Sequence, residues 1–287
     1  MKVTVGLPFY NCEQTLAYAI ESVLSQTYEL WELILINDGS TDNSVTIAKS
    51  YSDPRIILLD DKLNKGLASR LNEITALASG DMIARMDADD IMDPRRLEKQ
   101  LIYLEMRPEV DLVGSSAYII DLQNNVTGLR SAKQPARKLI DIVRRGMFIH
   151  PSVMGRRSWF LENSYNTALK RSEDFDMWVR TYKKSTFHNI EEPLLYYRET
   201  GIAQYKKYIK TQTEKLALLK DYATKYISPR EAIYFSFLIS GKMLTYSLAN
   251  FLGLESNLTS KRNQSFTEEQ KKQATDRLKS EFRNKII

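Results

Sequence analysis

The sequence predicts an α/β fold, a mostly parallel central sheet flanked by helices, with a helical C-terminal appendage. Short apolar runs near residues 3–8, 31–36, 55–59 and 82–86 alternate with stretches of helical periodicity, the pattern of repeated β-α-β units. The run at 31–36 is almost continuously apolar, as a strand covered on both faces requires. Charge divides the chain as well. Residues 1–200 carry 25 Lys/Arg against 28 Asp/Glu, whereas residues 201–287 carry 16 against 8. The overall +5 therefore belongs to the tail. Two regions follow, 1–200 as the ligand-binding α/β domain and 201–287 as a basic helical region. An anionic partner for that region, membrane headgroups or nucleic acid, suits its charge.

A chain of 287 residues, 43% apolar and 27% charged, has ordinary globular composition. Its single cysteine, Cys12, excludes a disulfide framework and a cysteine-built metal site, and suits the cytosol. Met1 runs directly into the first strand, so no signal segment is expected.

The first strand, 3–8, ends at Pro8, which cannot donate to a sheet. Asn11 and Gln14 have capping-box spacing ahead of Leu16, Ile20, Val23 and Leu24. The second strand ends at Asn37-Asp38-Gly39-Ser40-Thr41-Asp42, a turn rich in glycine and carboxylate, before another helix. A third strand at 55–59 and a helix at 66–78 lead to a fourth strand at 82–86. That strand stops at Asp87, Asp89 and Asp90, and Asp93-Pro94 reads as N-cap and first position of a helix. Strands are expected at 110–116, 117–122 and 126–129, the last two joined by a turn at Asn124-Asn125. A helix at 136–145, a strand at 152–155, a helix at 174–183 and strands at 187–190 and 194–198 follow. From 203 onward the chain reads as helical, with capping boxes at Ser228/Glu231 and Thr267/Gln270. Fifteen of the 23 residues in 232–254 are apolar or aromatic. Lys242 interrupts them, and a central lysine costs a span roughly 2.5–3.5 kcal/mol. A core or surface-lying helix is the expectation.

Three acidic sites fall at or near strand ends: Asp38, the Asp87/Asp89 pair, and Glu173-Asp174. In a parallel sheet the first two share one edge and line one crevice. Neither a dinucleotide glycine fingerprint nor a P-loop is present. Phosphates must then be held by a metal ion on the aspartates and by cations such as Arg70. The plainer readings are a turn aspartate at Asp38, an N-cap at Asp174 and a structural histidine at His150.

Six motifs stand in fixed order: Leu7-Pro8-Phe9-Tyr10-Asn11, Ile36-Asn37-Asp38-Gly39-Ser40-Thr41-Asp42, Asn64-Lys65-Gly66-Leu67, Ala78-Ser79-Gly80-Asp81, Met86-Asp87-Ala88-Asp89-Asp90 and Arg171-Ser172-Glu173-Asp174-Phe175. Together they resemble the inverting family 2 glycosyltransferases of the GT-A, Rossmann-like fold, over residues 1–200. The resemblance implies a nucleoside diphosphate sugar donor, with uridine the usual base, and Mn²⁺ or Mg²⁺ as cofactor. By position, Pro8, Tyr10 and Asp38 would hold base and ribose, and Arg70 would approach the uridine or diphosphate. Asp87 would take ribose or a metal-bound water, and Asp89 the metal. Asp174 is similar to the family's general base, with His150 and Glu173 on the acceptor side. Asn37 stands where the family usually has aspartate.

The processive members' Q-x-x-R-W signature is absent, since Gln204-Tyr205-Lys206-Lys207-Tyr208 lacks Arg and Trp. A single-addition enzyme of bacterial polysaccharide assembly (O-antigen or capsule) is implied, acting on a glycan or lipid-linked saccharide. The expected location is peripheral, on the inner face of the cell membrane, with no nucleic acid partner. The basic tail would meet an anionic membrane surface or form a homodimer. Two other classes stay open, a haloacid-dehalogenase-type phosphotransferase on Asp87 and Asp89, and a non-catalytic nucleotide-sugar or glycan binder.

Overall fold

The computed structural model describes residues 1–199, 205–253 and 263–282. The N-terminal half alternates as expected: β1 Val3–Phe9, α1 Leu16–Leu24, β2 Trp31–Asn37, α2 Ser44–Lys49, β3 Ile56–Leu59, α3 Leu67–Leu77 and β4 Met82–Arg85. β1 lies parallel between β2 and β4, with Val3 opposite both Trp31 and Met82, and β3 extends the parallel run beyond β2. Side chains alternate across the sheet. Leu33 and Leu35 join the core under α1, whereas Ile34 and Ile36 join the one under α3. Gly6 of β1 lets α3 approach, because a Cβ there would stand 2.6 Å from Cγ2 of Ile74.

Beyond β4 the chain runs β5 Ile91–Met92, α4 Arg96–Met106, β6 Leu112–Ile120, β7 Val126–Arg130 and α5 Leu139–Arg145. A 3₁₀ turn at His150–Ser152, β8 Met154–Arg156, α6 Arg157–Glu162, α7 Glu173–Thr181 and β9 Phe187–Arg198 follow. β8 inserts antiparallel between β4 and β6, so the sheet is mixed on this side. β9 runs parallel to β6 and also pairs with the short β5.

Several boundaries differ from the sequence reading. The Asn11/Gln14 box does not form. α1 starts after Thr15, and the Asn11 side chain accepts from the Thr41 amide instead. α4 begins at Arg96, later than expected, but Asp93 still caps the turn that leads into it, its carboxylate accepting the Arg95 amide at 2.9 Å. The strands expected at 110–116 and 117–122 are one strand, β6, paired with β9 along its length with a register shift around Ser116. The two expected at 187–190 and 194–198 are likewise one strand, whose register shifts where Pro193 stands. Residues 150–152 form the 3₁₀ turn before β8, and α6 was not anticipated.

The tail comprises α8 Tyr205–Tyr222, α9 Pro229–Phe251, β10 Gln264–Ser265 and α10 Glu268–Glu281. Both capping boxes form, at Ser228 on α9 and Thr267 on α10. α8 and α9 pack as a hairpin, with Tyr208 stacked on Tyr246 at 3.9 Å. β10 adds to β7, so the tail is not wholly helical, and Leu278 and Phe282 bury against Ile91, Ile120, Val126 and Tyr196. No helix among the described residues is long and apolar enough to cross a membrane. The ends of two sequence readings, Leu254 of the apolar segment and Gln204, lie outside the described residues.

Candidate active site

Where β1 and β4 end, the chain opens a crevice of about 540 Å³ whose walls include Pro8, Tyr10, Asp42, Asp87 and Asp89. It lies at the carboxyl ends of adjacent parallel strands, where a fanning sheet leaves a groove. Pro8 is buried in the wall, while Tyr10 is 52% exposed at the rim.

β4 delivers the acids. Arg85, its last residue, is 4% exposed and grips Asp87 with both terminal nitrogens, at 2.8 and 3.2 Å. Asp90 is fully buried. One of its oxygens accepts the Arg198 amide at 2.9 Å, and the other has no hydrogen-bond partner among the described residues. Asp87, Asp89 and Asp90 each present an oxygen within 4.8 Å of the others. Desolvation, then the charge of Asp87, pushes Asp89 up to about 6. Desolvation, then the charge of Asp89, raises Asp90 well above the carboxylate range. Three crowded carboxylates and an orphaned buried oxygen fit a hard divalent cation, which takes all-oxygen ligands and restores ionisation. Asp87 and Asp89 are the ligands the sequence reading names, and Asp90 stands in the same cluster.

Arg198, at the end of β9, clamps this loop. Its side chain donates to the Asp89 carbonyl at 2.7 Å, to the Asp121 carbonyl and to Asn124 at 2.7 Å. Beneath the loop Arg96 is buried and donates to the Arg85 carbonyl at 2.9 Å, and desolvation pushes its guanidinium down to about 9.

The second acidic pair opens α7. Asp174 is half-buried, its carboxylate accepting the Phe175 amide at 2.6 Å. Glu173 is 7% exposed, and desolvation, then the charge of Asp174, pushes it up to about 7. Arg85 and Asp87 also act on Glu173, so the acid loop and the start of α7 lie near one another. His150 meets the Tyr165 hydroxyl at 2.9 Å, and burial followed by the Arg85 cation holds its ring well below the usual histidine range. His150 is thus a neutral hydrogen-bond partner of Tyr165.

Asp38 and Arg70 form a buried cluster bordering the crevice: the Asp38 amide donates to the carbonyl of Phe9, in the crevice wall, at 2.8 Å, while neither side chain lines the opening. Asp38 accepts the amides of Lys65 and Gly66, at 2.7 and 3.1 Å, and Nε of Arg70 at 2.9 Å. The Arg70 guanidinium, 1% exposed, also pairs with Asp61 and Glu73. Its donors hold the 61–66 loop onto the strand end rather than standing open to a phosphate. Gly39 permits the turn, with φ +78° and the Asn64 amide nitrogen 3.0 Å from where a Cβ would sit. Asn37, 1% exposed, donates to Asp60 at 2.8 Å and accepts the Ser40 amide at 2.8 Å. An aspartate there would set two carboxylates against each other.

A family model described as Glycosyl transferase family 2 matches residues 4–167. The chain belongs to this glycosyltransferase family. Over 213 residues it is 41% identical to EpsE of Bacillus subtilis, a glycosyltransferase by name, covering 70% of this chain and 74% of that one. Another relative, 31% identical over 188 residues and covering 66% of this chain and 72% of the other, is the Escherichia coli UDP-Glc:alpha-D-GlcNAc-diphosphoundecaprenol beta-1,3-glucosyltransferase WfgD. Among solved structures, residues 1–349 of Staphylococcus aureus TarS in complex with UDP superpose with a TM-score of 0.62 at 16% identity, over 89% of this chain and 75% of that one. Mannosyltransferase PcManGT from Pyrobaculum calidifontis, in complex with GDP-Man and Mn²⁺, gives 0.57 at 17%, over 90% and 73%. The glycosyltransferase fold is GT-A. Family membership displaces the phosphotransferase reading of the Asp87/Asp89 motif.

Of the expected glycosyltransferase site residues, Pro8, Tyr10, Asp87 and Asp89 share the crevice. Glu173, Asp174 and His150 gather near Arg85, and Asp38 with Arg70 borders the crevice wall at Phe9. Asp90 belongs to the acid cluster read from the sequence but not to the ligands named there, and Arg85 and Arg198 were missed. Arg85, the last residue of β4, reads in the sequence as part of an apolar strand. Arg198 carried no signal at all.

Proposed function

We propose that this glycosyltransferase moves a hexose or N-acetylhexosamine from a nucleoside diphosphate sugar, a UDP-sugar first of all, to a hydroxyl of a glycan or lipid-linked saccharide, with inversion. The observation that carries it is the meeting of two acid sets, Asp87/Asp89/Asp90 and Glu173/Asp174, around the buried Arg85. The names of similar proteins support the donor class, since TarS is described with UDP and UDP-GlcNAc and PcManGT with GDP-Man and Mn²⁺. WfgD, whose name specifies a diphosphoundecaprenol-linked acceptor, supports a lipid-linked saccharide and polysaccharide assembly.

Pro8 and Tyr10 bind the donor at the crevice wall, and Arg70 keeps Asp38 and its loop in place beside it. Asp87, Asp89 and Asp90 would hold Mn²⁺ or Mg²⁺, which when bound offsets the negative charge developing on the departing diphosphate. Asp174 removes the proton from the acceptor hydroxyl as its oxygen attacks the anomeric carbon. The bond from that carbon to the diphosphate oxygen breaks on the opposite face, so an α-linked donor yields a β-linked product. Such general-base help is worth roughly 10²–10⁴-fold.

Asp174→Asn is the test. Calorimetry should show unchanged UDP binding, while Mn²⁺-dependent turnover across a panel of UDP-sugars falls by roughly 10²–10⁴-fold. Turnover equal to the parent rejects the assignment. Glu173 is the competing base, since a carboxylate near 7 is matched to the task. In that case Glu173→Gln, not Asp174→Asn, abolishes turnover.

A further inference from the structure

α9 wears its amphipathicity inside out. Its one interior cation, Lys242, turns toward the catalytic domain and donates to the carbonyls of Val143 and Arg144 at 3.1 Å, at the C-terminal end of α5, where a cation complements the helix dipole. About half a turn round the helix from Lys242, at 100° per residue, stand Ile233, Phe237, Leu244 and Phe251. They are 61, 76, 63 and 85% exposed. Among the described residues from Ala232 to Gly253, no exposed one carries a charge. The stripe runs about 27 Å, at 1.5 Å per residue. A solvent-facing helix normally shows the reverse pattern, and contiguous exposed apolar surface of this kind marks a contact face.

Charge indicates what it contacts. Tyr205 bonds Ser247 at 2.8 Å and Tyr208 stacks on Tyr246, so the start of α8 lies beside the last turns of α9. Lys206, Lys207 and Lys210 are exposed at this end, and the first acid on α8 is Glu214, which is engaged with the amides of Lys170 and Arg171. Among the described residues at this end of the hairpin, 205–213 on α8 and 240–253 on α9, the side chains include apolar and cationic ones and no acid. We propose that the outward face of α9, with these lysines, is a docking surface for an anionic lipid bilayer, the helix lying in the plane of the interface. An apolar face entering the headgroup boundary beside lysines held by anionic lipid is the physics of a surface-lying helix. A second copy of the chain would bring the same lysines to the contact. The proposal deepens the proposed function by supplying the surface that would present a lipid-linked acceptor.

Cosedimentation of the full chain with vesicles, without donor or metal, tests it. The chain should bind phosphatidylcholine vesicles containing phosphatidylglycerol, fail to bind phosphatidylcholine alone, and release as salt rises. The variant Phe237→Glu/Leu244→Glu/Phe251→Glu and the variant Lys206→Glu/Lys207→Glu/Lys210→Glu should each bind at least ~10-fold more weakly, with unchanged melting temperature. Equal binding to both vesicle types, or full binding by either variant, overturns the proposal. So does a dimer in sedimentation equilibrium that the first variant dissociates while vesicles go unbound. Vesicle binding is read without catalysis, so failure of the transferase reading would leave this result standing.

Discussion

Glu173 shows how burying a single carboxyl makes stability depend on pH. Its carboxyl is pushed up to about 7 by desolvation and then by Asp174, so folding favours its protonated form. A raised folded value contributes stability that is complete below the unfolded value near 4.5 and is lost as pH rises through about 7. Glu173→Gln removes that loss. We expect the variant to be about 1–3 kcal/mol more stable than the parent at pH 8, with the gain gone by pH 4.5, as read by urea unfolding at both pH values. Asp90 poses the complementary question. Asparagine would still accept the Arg198 amide, so a purely structural Asp90 would tolerate Asp90→Asn with unchanged Mn²⁺ affinity. A ligand would not, and we expect Mn²⁺ binding by calorimetry to weaken by at least ~10-fold.

At the scale of elements, the site depends on strands that sequence patterns describe poorly. β8 has only three residues, yet it separates β4 from β6 and pairs with both. It fits because Gly155 has no side chain. A Cβ there would stand 2.0 Å from Cδ2 of Leu112 and 2.7 Å from the Asp111 carbonyl oxygen. Gly155→Ala should cost about 1–3 kcal/mol through overpacking, measured as a lowered melting temperature. Activity should fall with it, since β4 carries Arg85 and the acid loop. β5 is shorter still, and its pairing with β9 brings Arg198 onto Asp89 and Asp90. Period-2 patterning cannot announce a two-residue strand.

Across the whole molecule, the basic tail is built into the catalytic domain. Arg277 of α10 pairs at 3.1 Å with Asp93, whose side chain is fully buried, and Leu278 is completely buried against β5 and β9 residues. The boundary near residue 200 thus separates compositions while leaving the core continuous. Leu278→Ala should cost about 2–4 kcal/mol in one cooperative unfolding transition, followed by fluorescence and circular dichroism together. A separate early transition for the tail would contradict this. The capping boxes of α9 and α10 were readable because capping is local, satisfied within four residues. The failed box at Asn11 was unreadable for the complementary reason, since its side chain is claimed by Thr41, distant in sequence.

The alternation of apolar runs and helical stretches, the helix ends capped by their own sequence, and the acids at strand ends were determined by the amino acids alone. Each depends on neighbours a few residues apart, where spacing and side-chain chemistry suffice. What tertiary structure decided was which of those groups face one another. Arg85 between two acid sets, Arg198 over the acid loop and Asp38 folded onto Arg70 all join residues brought together by strand order or loop closure. The outward turn of the apolar face of α9 follows from the same cause. Lys242 found its partners on α5, about a hundred positions earlier in the chain, and that contact fixed which side of the helix is left to the outside.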